Sequence, residues 1–283
     1  MSHRGKRLRE VPGPFVVAPP SGARVRTRLA VNDNDEMVLE ALGAHLGRLA
    51  SLDLAHRVAE GPLDAKGKAE SRRARKQALT GASSSRWAGA ITRTSEDAYG
   101  LAKRDLQAER ASLRARVDKI TKRVALGPGE AKGRLVGYAS ASERWEKQRR
   151  AQVLSCRLAD VEAQLAIGAL SVCRGGKRLA RARHHLGAAG QTLAQWRTGW
   201  EASRWFITAD GEADKTWGNE TIRWHPVEGW LEIKLPAALA KYANRPFGRY
   251  RLSCLARIHR LAWADRAGGV GSCWDGCRWP AGG

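Results

Sequence analysis

The 283-residue sequence is poor in acid: 28 Asp and Glu stand against 50 Lys and Arg, a formal net charge of +22. Between residues 163 and 200 there is no acid at all. No apolar run approaches the about 18 residues that a membrane-spanning helix needs, which excludes that class. The opening stretch MSHRGKRLREVPGPFVV is basic but has no apolar core, so a secretory signal is not expected. Five Cys are too few for a disulfide framework in a chain this long, so a reducing, cytoplasmic compartment is expected. Gly175-Gly176-Lys177 falls short of the GxxxxGK[ST] phosphate loop, and no paired carboxylates, nucleophile elbow or Ser/His/Asp set stands out. No cofactor is expected. With 43% hydrophobic and 28% charged residues the chain is composed like a folded protein, with room for one large domain or two ordinary ones.

What is abundant is positive charge, dispersed in blocks. The first 30 residues include Arg24, Arg26 and Arg28; KGKAESRRARKQ (66–77) includes Arg72, Arg73, Arg75 and Lys76; RWEKQRR (144–150) includes Arg144, Lys147, Arg149 and Arg150. The acid-free stretch includes Lys177, Arg178, Arg181 and Arg183, and Arg223 follows later. A membrane-surface protein concentrates charge on one amphipathic helix or tail, whereas dispersed blocks suit a long polyanion touching many surfaces. These residues are therefore the candidate nucleic-acid contacts, against the plainer reading of solvated charged faces. His184 and His185 are adjacent on a helix, about 100° apart, and cannot readily share one metal ion.

The order of elements reads as strand, helical block, β-rich block, an α+β chain. Residues 1–23, with Pro12, Pro14, Pro19 and Pro20, form a loose basic leader, and RVRTRLAV (24–31) alternates like a strand with a basic face. Residues 32–200 form a helical lobe. Its first helix opens on Asp33 and Glu36 as a capping pair and carries Val38, Leu42, Leu46, Leu49, Leu52 and Val58 as an apolar face. LTGASSSRWAGAITRTS (79–95) reads as a loop or broken helix. Leu106, Leu113 and Ile120 repeat by heptads in a helix over 96–126, which LGPGEAKG breaks. A partner helix over 142–169 buries Val153, Leu154, Leu158, Val161 and Leu165, completing an antiparallel hairpin. Nine of the eleven Trp follow residue 195, where RWFIT, ETIRW, WLEIKL and RYRLSC alternate, so residues 201–254 are read as strands of a small β-barrel that strand 24–31 completes. In WLEIKL, Leu231, Ile233 and Leu235 face in while Glu232 and Lys234 face out, and Trp205, Trp224 and Trp230 are assigned to the barrel core.

The phrases CRGGKRLARARHHL (173–186), LAQWRTGWEASRWFITADGEADKTWGNETIRWHPVEGWLEIKLP (193–236) and NRPFGRYRLSC (244–254) resemble actinobacterial members of the TnpB family, also called OrfB and encoded in insertion sequences. RVRTRL (24–29) and EALGAHLGRLASLDLAHR (40–57) resemble that family's N-terminal region, so the likeness spans roughly residues 20–254. The resemblance implies a compact RNA-guided DNA nuclease of the transposase-associated kind. Its partners would be a transposon-end RNA and target DNA, and its wedge β-barrel would be interrupted by a helical recognition lobe. In such a lobe basic helices grip the backbone of a guide–target duplex, and base pairing supplies specificity.

The family's nuclease half holds two metal ions with three carboxylates and carries a zinc ribbon of two Cys pairs. Neither has a counterpart here. After Cys254 the tail (255–283) contains only Asp265 and Asp275 and lacks periodicity, as an out-of-frame translation would. The expectation is a binding protein truncated before its catalytic half, with no catalytic residue assigned. Cys254, His259, Cys273 and Cys277 offer a weak zinc set, since Cys273 and Cys277 enclose three residues where a tight knuckle has two. Two rival readings stay open: an active RNA-guided endonuclease with an unrecognised metal site, and a helical protein that oligomerises through the 96–126 seam.

Overall fold

The computed structural model describes residues 29–168, 170–212, 215–225 and 227–255. The order of elements is helix α1 (Asp33–Ala59), α2 (Ala65–Thr80), α3 (Ser85–Val124), a short ribbon β1 (Ala131–Lys132) and β2 (Leu135–Val136), then α4 (Ala141–Ile167), α5 (Lys177–Ala182) and α6 (Leu193–Ala202), and finally strands β3 (Ile222–Trp224), β4 (Trp230–Lys234) and β5 (Arg249–Leu255), with a 3-10 helix Ala237–Tyr242 between the last two.

The helix starts follow from capping chemistry. Asn32 caps α1 by accepting from the Asp35 N–H at 2.8 Å, one residue ahead of the Asp33–Glu36 pair read from the sequence. Asp35 is buried and serves the tertiary structure instead: it accepts from the Tyr250 hydroxyl at 2.7 Å and from Ser253 Oγ at 2.6 Å, tying α1 to β5. Ser84 caps α3, so the run 79–95, read as a loop or broken helix, is the second of these: α2 ends at Thr80 and a 40-residue helix starts at Ser85. Thr192 and Gln195 form a full capping box on α6.

The sheet is three-stranded and antiparallel, in the order β3-β4-β5, with Ile222 opposite Ile233, Trp224 opposite Leu231 and Ile233 opposite Tyr250. Its inner face, Leu231, Ile233, Tyr250 and Leu252, packs with Val38, Leu42 and Leu46 of α1 and with Trp87 and Ile91 of α3 in one core. Trp87 is wholly buried and donates its indole N–H to the Lys234 carbonyl at 3.0 Å. Burying its ~200 Å² contributes ~5 kcal/mol at ~25 cal/mol per Å².

The α+β class expected from the sequence is present, and the finer expectations fare differently. Among the described residues the fold is α+β with small antiparallel sheets and no closed barrel. Residues 24–28 lie outside the described residues, and 29–31 are not strand. RWFIT runs alongside α1 rather than in the sheet: the Phe206 N–H donates to the Gly43 carbonyl at 3.1 Å. A Cβ on Gly47 would sit 2.5 Å from the Arg204 carbonyl oxygen, so only glycine admits this crossing. Faces differ in part: Leu52 and Val153, expected on apolar faces, are exposed at 58% and 68%, while Glu232 faces outward as expected yet is buried beneath arginines.

Helices α3 and α4 pair antiparallel, as the heptads imply, with Leu113 and Val161 buried between them. Glu109–Arg157 and Arg114–Glu162 ion pairs flank that seam at 2.9 and 2.8 Å. From about Gly100 onward the pair projects as an arm. Its far end has a small core of its own, Leu126 and Tyr138, with the Arg123 guanidinium 4.1 Å from the Tyr138 ring centre.

Candidate nucleic-acid interface

The sequence candidates divide by location. On α2, Arg72, Arg73 and Lys76 are exposed, and among the described residues no carboxylate lies within 4.0 Å of them. Arg75, on the inner face of the same helix, is not available to a ligand. It bonds both Asp53 oxygens at 2.9 and 2.8 Å, pairs with Glu96, and lies 3.8 Å from Glu60. Arg57 joins this cluster from α1: it is fully buried, pairs with Glu96 at 2.8 Å, donates to the Gly61 carbonyl at 2.9 Å and stacks 3.8 Å over Tyr99. These residues fasten α1, α2 and α3 together, and the sequence reading missed them because helical arginines ordinarily lie outside.

At the far end of the arm, Arg149 and Arg150 are exposed, with Arg149 4.9 Å over the Trp145 ring. Lys147 is half-buried, 6.0 Å from the Tyr138 ring, and Arg144 donates to the Val124 carbonyl at 2.8 Å, closing the hairpin.

The acid-free stretch forms a third station. Gly175 and Gly176, at φ of 90° and 93°, turn the chain into α5, whose Lys177, Arg178 and Arg181 are exposed together with Arg183 just beyond. None of the four has a carboxylate within 4.0 Å among the described residues. Beside them Trp196 and Trp200 stack at 5.6 Å and 14°, with Arg183 5.7 Å over Trp196 and Arg204 5.5 Å over Trp200. Arg174 anchors the stretch: it donates to the Gly47 carbonyl, to Ser51 Oγ at 3.0 Å and to the Arg204 carbonyl at 2.9 Å. Burial, then the neighbouring Arg204, push it down to about 10, so it stays protonated at neutral pH.

The outer face of the sheet is the fourth station, and there Arg223 departs from its expected role as a free contact. Its Nε donates to Glu220 at 3.0 Å and its guanidinium lies 3.9 Å from Glu232. Arg249 and Arg251 approach the same Glu232 at 3.6 and 3.3 Å, which explains how an outward-pointing carboxylate is 8% exposed. Burial alone would raise the Glu220 carboxyl, but the Arg223 hydrogen bond and charge outweigh it and hold the carboxyl below the usual range. Burial lowers Arg249, and Arg223 lowers it further, against the opposing pull of Glu232 and Glu220. Of the tryptophans assigned to the core, Trp224 packs against it, while Trp230 lies on this outer face in a cluster with Trp217 and His225.

The structure thus gathers the acid-free cations beside an aromatic pair, keeps the α2 and arm cations at separate places, and removes Arg75 and Arg223 from the free set. Arg24, Arg26 and Arg28 lie outside the described residues, as do His259, Cys273 and Cys277. Among the described residues no three His, Cys, Asp or Glu side chains are grouped to hold a metal ion, and no helix is long and apolar enough to cross a membrane. Searched against family models, curated proteins and solved structures, the chain matches none.

Proposed function

We propose that this chain is a TnpB-like, transposon-encoded nucleic-acid-binding protein that holds structured RNA and an RNA–DNA duplex by their phosphate backbones. The observation that carries the reading is the α5 station: four exposed cations with no carboxylate partner among the described residues, inside 38 residues that lack acid, next to a stacked tryptophan pair. Phosphates neutralise unpaired cations and release counterions, which is the main source of affinity for a polyanion. In this reading the three-stranded sheet is the described part of a wedge barrel, and α1–α6 form the lobe inserted into it. The exposed cations of α2 and the arm extend the footprint. The proposal is for binding and contains no cleavage step. Oligomerisation through the 96–126 seam is disfavoured, because α4 already occupies it.

Filter binding to the chain's own transposon-end RNA tests the reading. That RNA should bind more tightly than random RNA of equal length at matched salt. Replacing Arg181 and Arg183 with Ala should flatten the salt dependence of log K by about two units or somewhat less. Equal affinity for both RNAs, with an unchanged slope, refutes it.

A further inference from the structure

The outer sheet face carries more aromatic surface than packing accounts for. Trp217, His225 and Trp230 are all half-buried, and neither indole belongs to the core cluster or packs against it. Their rings touch one another instead. His225 stacks on Trp230 at 5.0 Å and 17°, and Trp217 sits 5.5 Å from Trp230 and 5.6 Å from His225 at tilts near 45°. Guanidinium planes frame the group, Arg251 at 4.1 Å over Trp230 and Arg223 at 5.8 Å over Trp217.

The framing charges are fixed rather than mobile. Arg223, Arg249 and Arg251 share two carboxylates, Glu220 and Glu232, so the face holds its arginines in place, and a third carboxylate, Glu228, accepts the Trp230 indole N–H. The ring of His225 is fixed too. Its Nδ1 accepts from the Glu228 N–H at 3.1 Å, which makes Nε2 the protonated nitrogen, a donor with no partner among the described residues. Aromatic rings beside oriented guanidinium groups and an N–H donor complement the face and edge of an unpaired base. Within a duplex each base is already stacked on both faces.

We infer that the Trp217–His225–Trp230 cluster is a stacking site for an unpaired nucleotide of single-stranded nucleic acid. This rests on the nucleic-acid reading above and adds a second, separately located mode of contact: bases on the sheet, phosphates on the helices.

The test compares two labelled probes by fluorescence anisotropy with the full chain, a ten-nucleotide unstructured RNA and a blunt RNA hairpin closed by a stable tetraloop. Trp217→Ala should weaken the single strand by about 5- to 150-fold, the range of one lost base–aromatic stack, and leave the hairpin within about twofold. A combined Lys177→Ala, Arg178→Ala, Arg181→Ala variant should weaken hairpin binding more than Trp217→Ala does. Because loss of an indole can loosen the 215–220 loop, Trp217→Phe and Trp217→Leu complete the set: Phe should retain single-strand affinity and Leu should lose it. Single-strand affinity that is equal in the Ala, Leu and native proteins overturns the stacking site and leaves the parent reading standing. Failure of the native chain to bind either probe overturns both.

Discussion

Replacing Arg75 by Met separates structure from binding at one of the arginines that the sequence marks as a contact. The substitution keeps most of the aliphatic stem and removes the guanidinium. Asp53 has a side chain 1% exposed and receives two hydrogen bonds from Arg75, at 2.9 and 2.8 Å, so it is left unpartnered in the interior. Glu96 keeps Arg57 at 2.8 Å, and Glu60 keeps Ser71, which limits the damage to one orphaned charge. Removing one partner of a buried pair costs about 3–5 kcal/mol. For a chain of this size that lowers Tm by roughly 6–20 °C. Thermal unfolding followed by circular dichroism measures it, with Arg72→Ala as the exposed control, expected within about 0.5 kcal/mol of the native protein. The double variant Asp53→Asn/Arg75→Met should lose less than the sum of the single variants, by about 0.5–3 kcal/mol of coupling. RNA affinity measured well below the lowered Tm should not change. A loss under about 1 kcal/mol, or a fall in RNA affinity in the folded variant, refutes the assignment of Arg75 to the scaffold.

Gly47→Ala should destabilise by about 2 kcal/mol, because the added methyl meets the Arg204 carbonyl, whereas Gly187→Ala, with open space around it, should be near neutral; paired urea titrations decide this. Tyr250→Phe should cost about 1–3 kcal/mol by removing the hydroxyl that donates to Asp35 and accepts from Asn34. Burial, then the Asp35 bond and charge, raise that hydroxyl from 10.0 to about 12, so its contribution is complete below pH 10 and disappears as pH climbs through 12. The gap in stability between native protein and Tyr250→Phe, followed by denaturation from pH 8 to 12, should therefore narrow above pH 10; a constant gap counts against the buried bond.

Periodicity made the arm legible. Leu113 and Val161 fall where heptads place them, and ETIRW, WLEIKL and RYRLSC become β3, β4 and β5 around the HPVEG turn. Alternation tells which way a side chain points but not what lies above it, and Glu232 shows the difference: it points outward into a layer of three arginines. The same limit hid Arg57 and Arg75, whose carboxylate partners come from other helices. RWFIT alternates like a strand, but its hydrogen-bond partner is Gly43 on a helix, and a glycine inside a helix reads as weakness rather than as a crossing point. At the α5 station the missing acid was plain in the sequence, while the Trp196–Trp200 stack beside it needed coordinates. Trp217 and His225 gave no signal of their own, since a loop and a turn bring them together.

The arm has a mechanical consequence. Helix α3 is continuous from the core, where Trp87 is locked, to Val124 at the far end, where α4 and the Val136–Tyr138 segment pack against it. From Gly100 to Val124 the lever is ~36 Å long at 1.5 Å per residue, so a flexure of only ~10° at its root carries its tip through ~6 Å, and Arg149 and Arg150, about five residues back along α4 from Arg144 at the tip, through ~5 Å. Gentle curvature of one uninterrupted helix is thus enough to shift the arm's exposed cations by several ångströms without disturbing the core beneath.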